Sequence, residues 1–343
     1  MKKIKIFISL GLIILGSLLI SIAFVFGGEE NIIDNDDGSY SEPIGTDSGV
    51  IKNSSTTGLA FDGDYKPVMA VIENSPAARP QIGLQTADVV YEVMVEGSIT
   101  RFVSIFSDKV PEQILPVRSG RAPFLYIQQE WDGIFMHYGG SGSGNSNPSA
   151  YTFYGNSLHS KIKIDLEGLN GNRDGIFKRV NTKVSPHNVM GNPLLAQKIY
   201  DYEPKPLDWK FDATVFYPGE SVIEVEIPFT TSIRNFVSYT YDFNKGAYLR
   251  SMSGVPFIAG ETKAQLEVKN VIVQYSTYSL EEALLKDWVM VGKGRADFYI
   301  GGMYVQGSWS KESPTAQTMY KDAAGNPIVL KPGNTWIHIH PIK

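Results

Sequence analysis

The chain has 343 residues, a formal net charge of −5, 43% hydrophobic residues and no cysteine. The missing cysteine excludes disulfides, thiolate metal sites, cysteine nucleophiles and a lipid-modified N-terminal cysteine, so stability must come from apolar burial. Most of the net charge lies near the N-terminus and the rest of the chain is almost neutral. Without a basic stripe, a nucleic-acid partner is excluded.

The N-terminal region carries an apolar segment. Residues 6–26 contain no charged side chain and directly follow Lys2, Lys3 and Lys5. A helix of this length spans about 31 Å, the hydrocarbon thickness of a bilayer. Lysines precede the segment and acidic residues follow it, so the positive-inside rule keeps the N-terminus cytoplasmic. We predict a transmembrane anchor over residues 1–27 of a single-pass protein of the cell membrane whose remaining chain is extracytoplasmic. A signal peptide with a small-residue cleavage site at Ser21-Ile22-Ala23 is the alternative.

An acidic segment follows the apolar one. Residues 27–66 hold nine Asp or Glu residues against two lysines, and few large apolar side chains. Such a composition cannot bury enough surface to fold. We therefore predict a disordered acidic tether over residues 28–66.

The rest of the chain is long enough for two domains. Glu203-Pro204-Lys205-Pro206 is the best boundary, because each proline restricts its predecessor to extended conformations. We predict an α+β protein: an N-terminal α/β domain over residues 67–205 and a mostly β C-terminal domain over residues 206–343.

Hydrophobic periodicity gives the elements of each domain. In the first we predict four strands and two helices, the second helix capped by Asn192: Val68–Ile72, Asp88–Val95, Arg101–Phe106, Gly133–Tyr138, and the helices Ala122–Glu130 and Pro193–Tyr200. In the second we predict seven strands and one helix: Val222–Ile227, Val237–Tyr241, Tyr248–Ser251, Val271–Tyr275, Phe298–Ile300, Ile328–Leu330, Trp336–Ile339, and the helix Ser279–Lys286.

Four arginines of the first domain are candidate ligands of an anion. Arg79, Arg101, Arg118 and Arg121 all lie in or beside predicted loops and strand ends. The guanidinium group is a planar fork suited to carboxylate and phosphate. Structural ion pairs with nearby glutamates are the alternative for each arginine.

Glu92 and Glu96 are candidate carboxylates for catalysis. They share the predicted strand Asp88–Glu96, on which they would be about 13 Å apart. A two-carboxylate glycosidase needs at most about 9.5 Å, so this pair does not predict one. A helix would bring them to about 6 Å, but the alternating valines favour a strand. The simpler interpretation is a solvent-facing strand edge.

His137 ends an apolar strand and precedes a glycine-rich loop, Gly139 to Asn145. A titratable group at a strand end is a favoured place for a site, although a satisfied, partly buried histidine fits equally well. The loop lacks the Lys-Ser/Thr of a Walker A motif and the G-x-G-x-x-G spacing of a dinucleotide turn. Its Gly142 stands where G-x-S-x-G requires serine. We predict no cofactor.

The other histidines give weaker signals. His187 and Asn188 follow Pro186, which suits a positioned polar pair or a plain turn. His338 and His340 alternate on the terminal strand, and His-x-His alone is weak evidence for zinc. We predict no metal site.

Several motifs together resemble the YerB-like lipoprotein family of bacteria. They are Pro67 to Asn74, Arg79-Pro80-Gln81, Ala87-Asp88, Tyr91-Glu92, Val95-Glu96-Gly97, Thr100-Arg101, Pro116-Val117-Arg118-Ser119, Arg121, His137, Pro186-His187-Asn188, Trp309-Ser310-Lys311, Pro332-Gly333 and Thr335-Trp336-Ile337. The resemblance covers nearly all of residues 67–343. It implies an extracytoplasmic, membrane-attached protein without an established activity, and it adds Ser119 and Asn188 to one polar constellation. Lacking cysteine, this chain would replace the family's lipid with its helix.

Two functions fit these observations. The first is a binding or scaffold module for an anionic or glycan component of the cell envelope, or for an envelope protein, with the four arginines as ligands. The second is an envelope hydrolase or transferase, with His137 or His187 as general base, Glu92 or Glu96 orienting the histidine, and an arginine stabilising an oxyanion. The incomplete catalytic motif favours binding.

Overall fold

The structure, a computed structural model, describes residues 52–142, 149–171, 175–229, 236–281 and 284–342. The predicted membrane segment and residues 143–145 of the glycine-rich loop lie outside these residues. Within the described part of the chain, no helix has the length and apolar character needed to cross a bilayer.

Two α-helices, four short 3-10 helices and twenty-one strands form the described part. The helices are α1 (Ala122–Trp131) and α2 (Pro193–Ile199), and the 3-10 helices are Pro76–Ala78, Leu84–Thr86, Glu96–Ser98 and His159–Lys161. The strands up to residue 228 are β1 (Val68–Glu73), β2 (Val89–Met94), β3 (Thr100–Phe106), β4 (Ile134–His137), β5 (Asp165–Glu167), β6 (Phe177–Arg179), β7 (Val189–Gly191), β8 (Lys210–Phe211) and β9 (Glu224–Pro228). The later strands are β10 (Phe236–Asp242), β11 (Ala247–Met252), β12 (Val255–Pro256), β13 (Glu267–Val268), β14 (Asn270–Ser276), β15 (Tyr278–Leu280), β16 (Lys286–Trp288), β17 (Gly292–Ile300), β18 (Met303–Lys311), β19 (Met319–Asp322), β20 (Val329–Leu330) and β21 (Thr335–Pro341).

The described chain is therefore mostly β, and both α-helices lie in the predicted N-terminal domain. The two helix predictions there are confirmed, including the cap: the Asn192 side chain accepts a hydrogen bond from the Leu195 backbone N–H. We expected an α/β domain over residues 67–205. Its α/β features in the structure are limited to these two helices and two parallel strand pairs, β1–β4 and β4–β5.

One ten-stranded sheet runs through both predicted domains, in the order β19-β18-β17-β14-β21-β2-β3-β1-β4-β5. The two halves meet where β2 pairs in parallel with β21, the last strand of the chain, with Glu92 opposite His338. A smaller sheet, β12-β11-β10-β9 with β13 beside β11, belongs entirely to the second half. The halves thus share backbone hydrogen bonds rather than meeting only at a linker.

β2 is buried on both faces, so the prediction of a solvent-facing edge for Glu92 is wrong. On one face, the Tyr91 hydroxyl accepts a hydrogen bond from the Trp131 indole of α1, at 3.1 Å. On the other face, Glu92 meets Arg250 of β11. Successive residues of a strand point to opposite faces, and both faces of this central strand are covered.

The predicted helix Ser279–Lys286 is also wrong. Its described ends belong to β15 and β16, which pair antiparallel with Tyr278 opposite Trp288. The two rings lie 4.8 Å apart, and the Trp288 indole donates to the Met94 carbonyl. Burial of this cross-strand aromatic pair outweighs the local helix signal.

Residues 52–66, which the composition assigned to a disordered tether, are part of the fold. The Thr56 hydroxyl is buried and donates to Asp88 at 3.0 Å. All described residues belong to one unit that starts at residue 50, and the core cluster lies within it. A fragment of residues 50–343 therefore carries its own core.

Candidate functional site

Strand pairing gathers the predicted polar residues at one end of the sheet. Glu73 ends β1 and stands opposite Arg101 of β3. Glu96 lies in the short turn that joins β2 to β3. Ile72 bridges to Val117, which brings Arg118 to the same end. Loop and strand-end positions thus converge, as the sequence predicts.

Three of the four arginines form ion pairs there. Arg101 Nη2 donates to Glu96 Oε1 at 2.8 Å, and Arg121 Nε donates to Glu96 Oε2 at 2.8 Å. Arg118 Nε lies 3.1 Å from Glu73 Oε2. Burial and the neighbouring charge of Arg121 lower the pKa of Arg101 to about 9. These three guanidinium groups already have carboxylate partners, so the structural alternative describes them.

The Glu96 ion pairs predict an acid-dependent stability. Burial would raise the pKa of Glu96, but Arg121 and Arg101 outweigh it and hold the pKa at about 2. Because this folded value lies below that of an unfolded glutamate, about 4.3, the ionised form stabilises the fold above about pH 4. That contribution disappears as the pH falls toward 2.

We expect the free energy of unfolding of the wild type to exceed that of Glu96→Gln at pH 7. This difference should shrink between pH 4.5 and pH 2. Glutamine has the shape of glutamate without its charge, so the comparison isolates the carboxylate. Urea unfolding of both proteins at a series of pH values measures this difference. If the difference in unfolding free energy stays constant with pH, the charge of the Glu96 carboxylate does not contribute to stability.

Arg79 differs from the other three arginines. Its Nε donates to Asn74 Oδ1 at 3.1 Å and its Nη2 to the Asn74 carbonyl at 2.8 Å. No ion pair joins it to a carboxylate of the described residues. Burial and the positive charge of Arg250 lower its pKa to about 10, against the opposing effect of Glu92. Arg79 is therefore a fixed, partly desolvated cation whose hydrogen-bond partners are neutral, and the Glu92 carboxylate acts on it without an ion pair.

A cavity of about 710 Å³ lies beside Arg79. One wall is the loop that contains Arg79, and the other is the segment 252–258, which includes β12. The Gly260 backbone N–H donates to the Gln81 carbonyl at 2.7 Å and ties the two walls together. The Phe257 ring lies 5.7 Å from the Arg79 guanidinium carbon. The cavity has the size of a small-molecule site, with one charged group and mainly apolar walls.

His187 and Arg118 share one carboxylate. His187 Nδ1 lies 2.7 Å from Glu73 Oε2, the oxygen that Arg118 also approaches. The structure thus supplies a histidine–carboxylate pair, but with Glu73 in place of the predicted Glu92 or Glu96. The neighbouring Asn188 accepts a hydrogen bond from the exposed Arg179 at 2.7 Å. The His187 side chain is partly exposed and Glu73 is buried, so this carboxylate can orient the imidazole.

Ser119 has a structural position beside this group. Its hydroxyl donates to the Tyr138 carbonyl at 3.0 Å, and its own carbonyl accepts from Arg101 at 2.9 Å. Both contacts fix the backbone between Arg118 and α1.

His137 belongs to a different cluster. Its Nε2 lies 2.8 Å from Asp165 and its Nδ1 2.8 Å from the Gly139 carbonyl. His159 contacts the second oxygen of Asp165, at 3.0 Å. The His137 side chain is fully buried, with the Phe153 ring 4.7 Å away. Without an exposed surface it is a satisfied structural histidine and makes a poor general base.

Glu92 is the centre of a buried polar network. Its carboxylate accepts from Thr100 at 2.7 Å, Asn74 at 3.2 Å and Arg250 Nη2 at 2.9 Å. Arg250 also donates to the Tyr239 hydroxyl, which lies 2.9 Å from His338 Nε2. All of these side chains are buried, but within the described residues Arg250 Nε and His338 Nδ1 have no hydrogen-bond partner, and His338 Nδ1 lies 3.2 Å from Glu92 Oε2. The network reaches the cavity through Asn74, which holds Arg79, and through the Arg250 guanidinium carbon, which lies 4.8 Å from the centre of the Phe257 ring.

Sequence reasoning missed Asn74, Arg250 and Phe257 as parts of these clusters, and it considered Glu73 only as an ion-pair partner of the arginines. One signal was available for Arg250: it is the only charged residue in the strand Ala247–Met252, a pattern typical of a buried, paired charge. Asn74 carries no comparable signal, because its role depends on three-dimensional contacts.

The comparisons with known proteins agree with the motif resemblance. Residues 56–205 match the family model "Protein of unknown function (DUF3048) N-terminal domain", and residues 225–337 match the corresponding C-terminal domain. The chain is 31% identical over 293 residues to "Putative lipoprotein YerB" of Bacillus subtilis (strain 168), covering 81% of this chain and 82% of that protein. It also resembles the crystal structure of YerB protein from Bacillus subtilis, with a TM-score of 0.71 and 28% identity, over 84% of this chain and 96% of that chain. The predicted resemblance is confirmed, and the chain belongs to the DUF3048 family, with both its N-terminal and its C-terminal domain.

Proposed function

We propose that the chain is an extracytoplasmic binding module that recognises an anionic component of the cell envelope in the cavity beside Arg79. The observation that carries this proposal is the contrast among the four arginines. Arg101, Arg118 and Arg121 have carboxylate partners, whereas Arg79 has only neutral ones and lines a cavity. An anion in the cavity would place a countercharge in direct contact with Arg79, in a partly desolvated place where charge-assisted hydrogen bonds are strong.

The proposed location rests on two observations. The relative from Bacillus subtilis is named a lipoprotein, which supports a membrane-associated, extracytoplasmic protein. In this chain the apolar segment of residues 6–26 would provide the attachment, through a single transmembrane helix. An envelope glycan or an envelope protein remains a partner that the same face could contact.

The binding test compares two probes that share an aromatic ring. Phenyl phosphate carries an anion and phenyl β-glucoside carries a neutral sugar. We expect the fragment of residues 50–343 to bind phenyl phosphate more tightly than the glucoside. We expect Arg79→Gln to weaken phenyl phosphate binding about 10- to 100-fold, the loss of a hydrogen bond to a charged group. Isothermal titration calorimetry measures both affinities.

Arg179→Gln is the matched control, because Arg179 is exposed and lies near the His187 loop instead of in the cavity. It should leave phenyl phosphate binding unchanged. Equal binding of phenyl phosphate by the wild type and Arg79→Gln would contradict the proposal. Tighter binding of the glucoside would favour a glycan-binding module.

A second candidate function is an envelope hydrolase or transferase, favoured by the 2.7 Å contact between His187 and Glu73. Its general base would be His187, oriented by Glu73, with Arg118 near the developing oxyanion. Mass spectrometry of purified peptidoglycan incubated with the protein tests it. Fragments released by the wild type and not by His187→Ala would support hydrolysis, and no release would exclude peptidoglycan as the substrate.

A further inference from the structure

The cavity walls indicate more than a simple anion site, provided that the proposed function holds. Beside Arg79, the lining consists mainly of Met252, Val255, Pro256, Phe257 and Ile258. A site for a small hydrated anion needs converging donors and has no use for an apolar wall of this extent. Such walls bury the apolar body of a ligand, at about 25 cal/mol per Å² removed from water.

The apolar surface continues to the cavity mouth. Val255 is 63% exposed and Ile258 is 37% exposed. Both are large aliphatic residues, whose exposure to water is unfavourable in free energy. Val184, in the loop that also carries Lys183, is 81% exposed. The Lys183 ammonium donates to the Arg79 carbonyl at 3.2 Å, so this loop lies beside the cavity. Clustered exposed apolar side chains mark interaction sites.

Positive charge collects at the same place. The Lys263 ammonium donates to the Gly260 carbonyl at 2.7 Å, beside the Gly260–Gln81 hydrogen bond that joins the two walls, and burial together with the charge of Lys263 lowers the pKa of Lys183. Of the nearby acids, Glu73 is engaged by Arg118 and His187, and Glu261, which accepts from the Gly83 backbone N–H, leaves one negative charge against three positive ones. Arg79, Lys183 and Lys263 therefore present a positive field around an apolar cavity.

We propose that the cavity binds a single-chain anionic amphiphile, with the anionic head on Arg79 and the hydrocarbon chain along the wall formed by Met252, Pro256 and Phe257. Either feature alone would explain part of the site: a free anion needs only the guanidinium group, and a neutral hydrophobe needs only the wall. The juxtaposition of both selects a ligand that carries both. The head can be a phosphate or a carboxylate, since the planar guanidinium fork suits either.

The test titrates the fragment of residues 50–343, in detergent-free buffer, with probes that separate the two features. Dodecyl phosphate carries both, laurate changes the head to a carboxylate, inorganic phosphate lacks the chain, and dodecyl maltoside lacks the charge. We expect dodecyl phosphate, below its critical micelle concentration, to bind at least about 100-fold more tightly than inorganic phosphate, equivalent to burying a few methylene groups.

Two variants separate the contributions of the protein. Arg79→Gln should weaken dodecyl phosphate about 10- to 100-fold and leave dodecyl maltoside unchanged. Val255→Ser, at the exposed mouth, should weaken dodecyl phosphate and leave inorganic phosphate unchanged. Leu280→Ser is the control, because Leu280 is 60% exposed on β15 and does not line the cavity.

The outcomes distinguish this inference from the proposed function. If inorganic phosphate and dodecyl phosphate bind equally well and both depend on Arg79, the amphiphile is wrong and the anion site stands. If dodecyl maltoside matches dodecyl phosphate in the wild type and in Arg79→Gln, both proposals are wrong. Tighter binding of dodecyl phosphate that depends on Arg79 and Val255 but not on Leu280 supports both.

Discussion

Replacing Glu92 by leucine lowers the free energy of unfolding by about 3–5 kcal/mol, the expected cost of removing one partner of a buried ion pair. Leucine has a similar volume, so the loss reflects the charge and the hydrogen bonds of Glu92 instead of its size. Arg250 then keeps its charge in a fully buried place, with the Tyr239 hydroxyl and the faces of Phe257 and Trp336 as its neighbours. Guanidinium denaturation of the fragment of residues 50–343 measures the change.

The double variant Glu92→Leu/Arg250→Met is the critical comparison. Removing both charges removes the unpaired cation, so the double variant should recover most of the stability that the single variant loses. An additive loss in the double variant would show that Glu92 acts through packing or through Thr100 and Asn74 instead of through Arg250.

Lys311→Met is the second substitution with a large expected effect, about 3–5 kcal/mol. The Lys311 ammonium lies 2.6 Å from Glu130 Oε2, and both side chains are buried. Glu130 would keep only its hydrogen bonds from Thr318, whose N–H and hydroxyl donate at 2.7 and 2.8 Å. A carboxylate with two donors and no cation remains costly to bury.

Lys163→Met is the matched control for Lys311→Met. Lys163 also contacts a carboxylate, that of Asp132, but its side chain is 67% exposed. Exposed ion pairs contribute less than about 1 kcal/mol, so this variant should unfold close to the wild-type denaturant concentration. Similar losses in the two variants would contradict the assignment of the large effect to burial.

Both buried ion pairs join the halves that the sequence predicts as separate domains. Glu92 and Glu130 come from the first half, and Arg250 and Lys311 come from the second. Together with the parallel pairing of β2 and β21, these ion pairs hold the two halves against each other. The cavity has one wall from each half, so its shape depends on this contact. We expect the first half alone to lack a formed cavity.

The sequence predicts individual elements well where the pattern is local. The strands at Val68–Glu73 and Thr100–Phe106 and both α-helices follow from periodicity, proline at the helix start and the Asn192 cap. The strand Met303–Lys311 escapes prediction, because its polar and glycine residues give little apolar alternation. Its partner strand is joined to it through Gly301 and Gly302, a signal for a tight hairpin.

The long-range arrangement has no local signal. The parallel pairing of β2 with β21 joins residues 89–93 to residues 335–339. That pairing decides that Glu92 is central and buried rather than at a solvent-facing edge. Periodicity reports which side chains share a face, but not which face another part of the chain will cover.

The sequence predicts which residue types form the candidate site, but not which of these residues form ion pairs with one another. The sequence predicts the arginines at strand ends as one polar group, whereas the structure sets Arg79 apart, because it forms no ion pair with a carboxylate of the described residues. That difference depends on the positions of Glu73 and Glu96. The pairing of β1 with β3 places Glu73, and the turn after β2 places Glu96. The apolar wall of the cavity comes from a hairpin more than 170 positions further along the chain, at residues 252–258.

A crystal structure of residues 50–343 grown with dodecyl phosphate tests the central claim most directly. The account predicts phosphate oxygens within about 3.2 Å of the Arg79 guanidinium nitrogens and the alkyl chain against Phe257. A phosphate bound instead at Arg118 and His187, with no ligand beside Arg79, would contradict it.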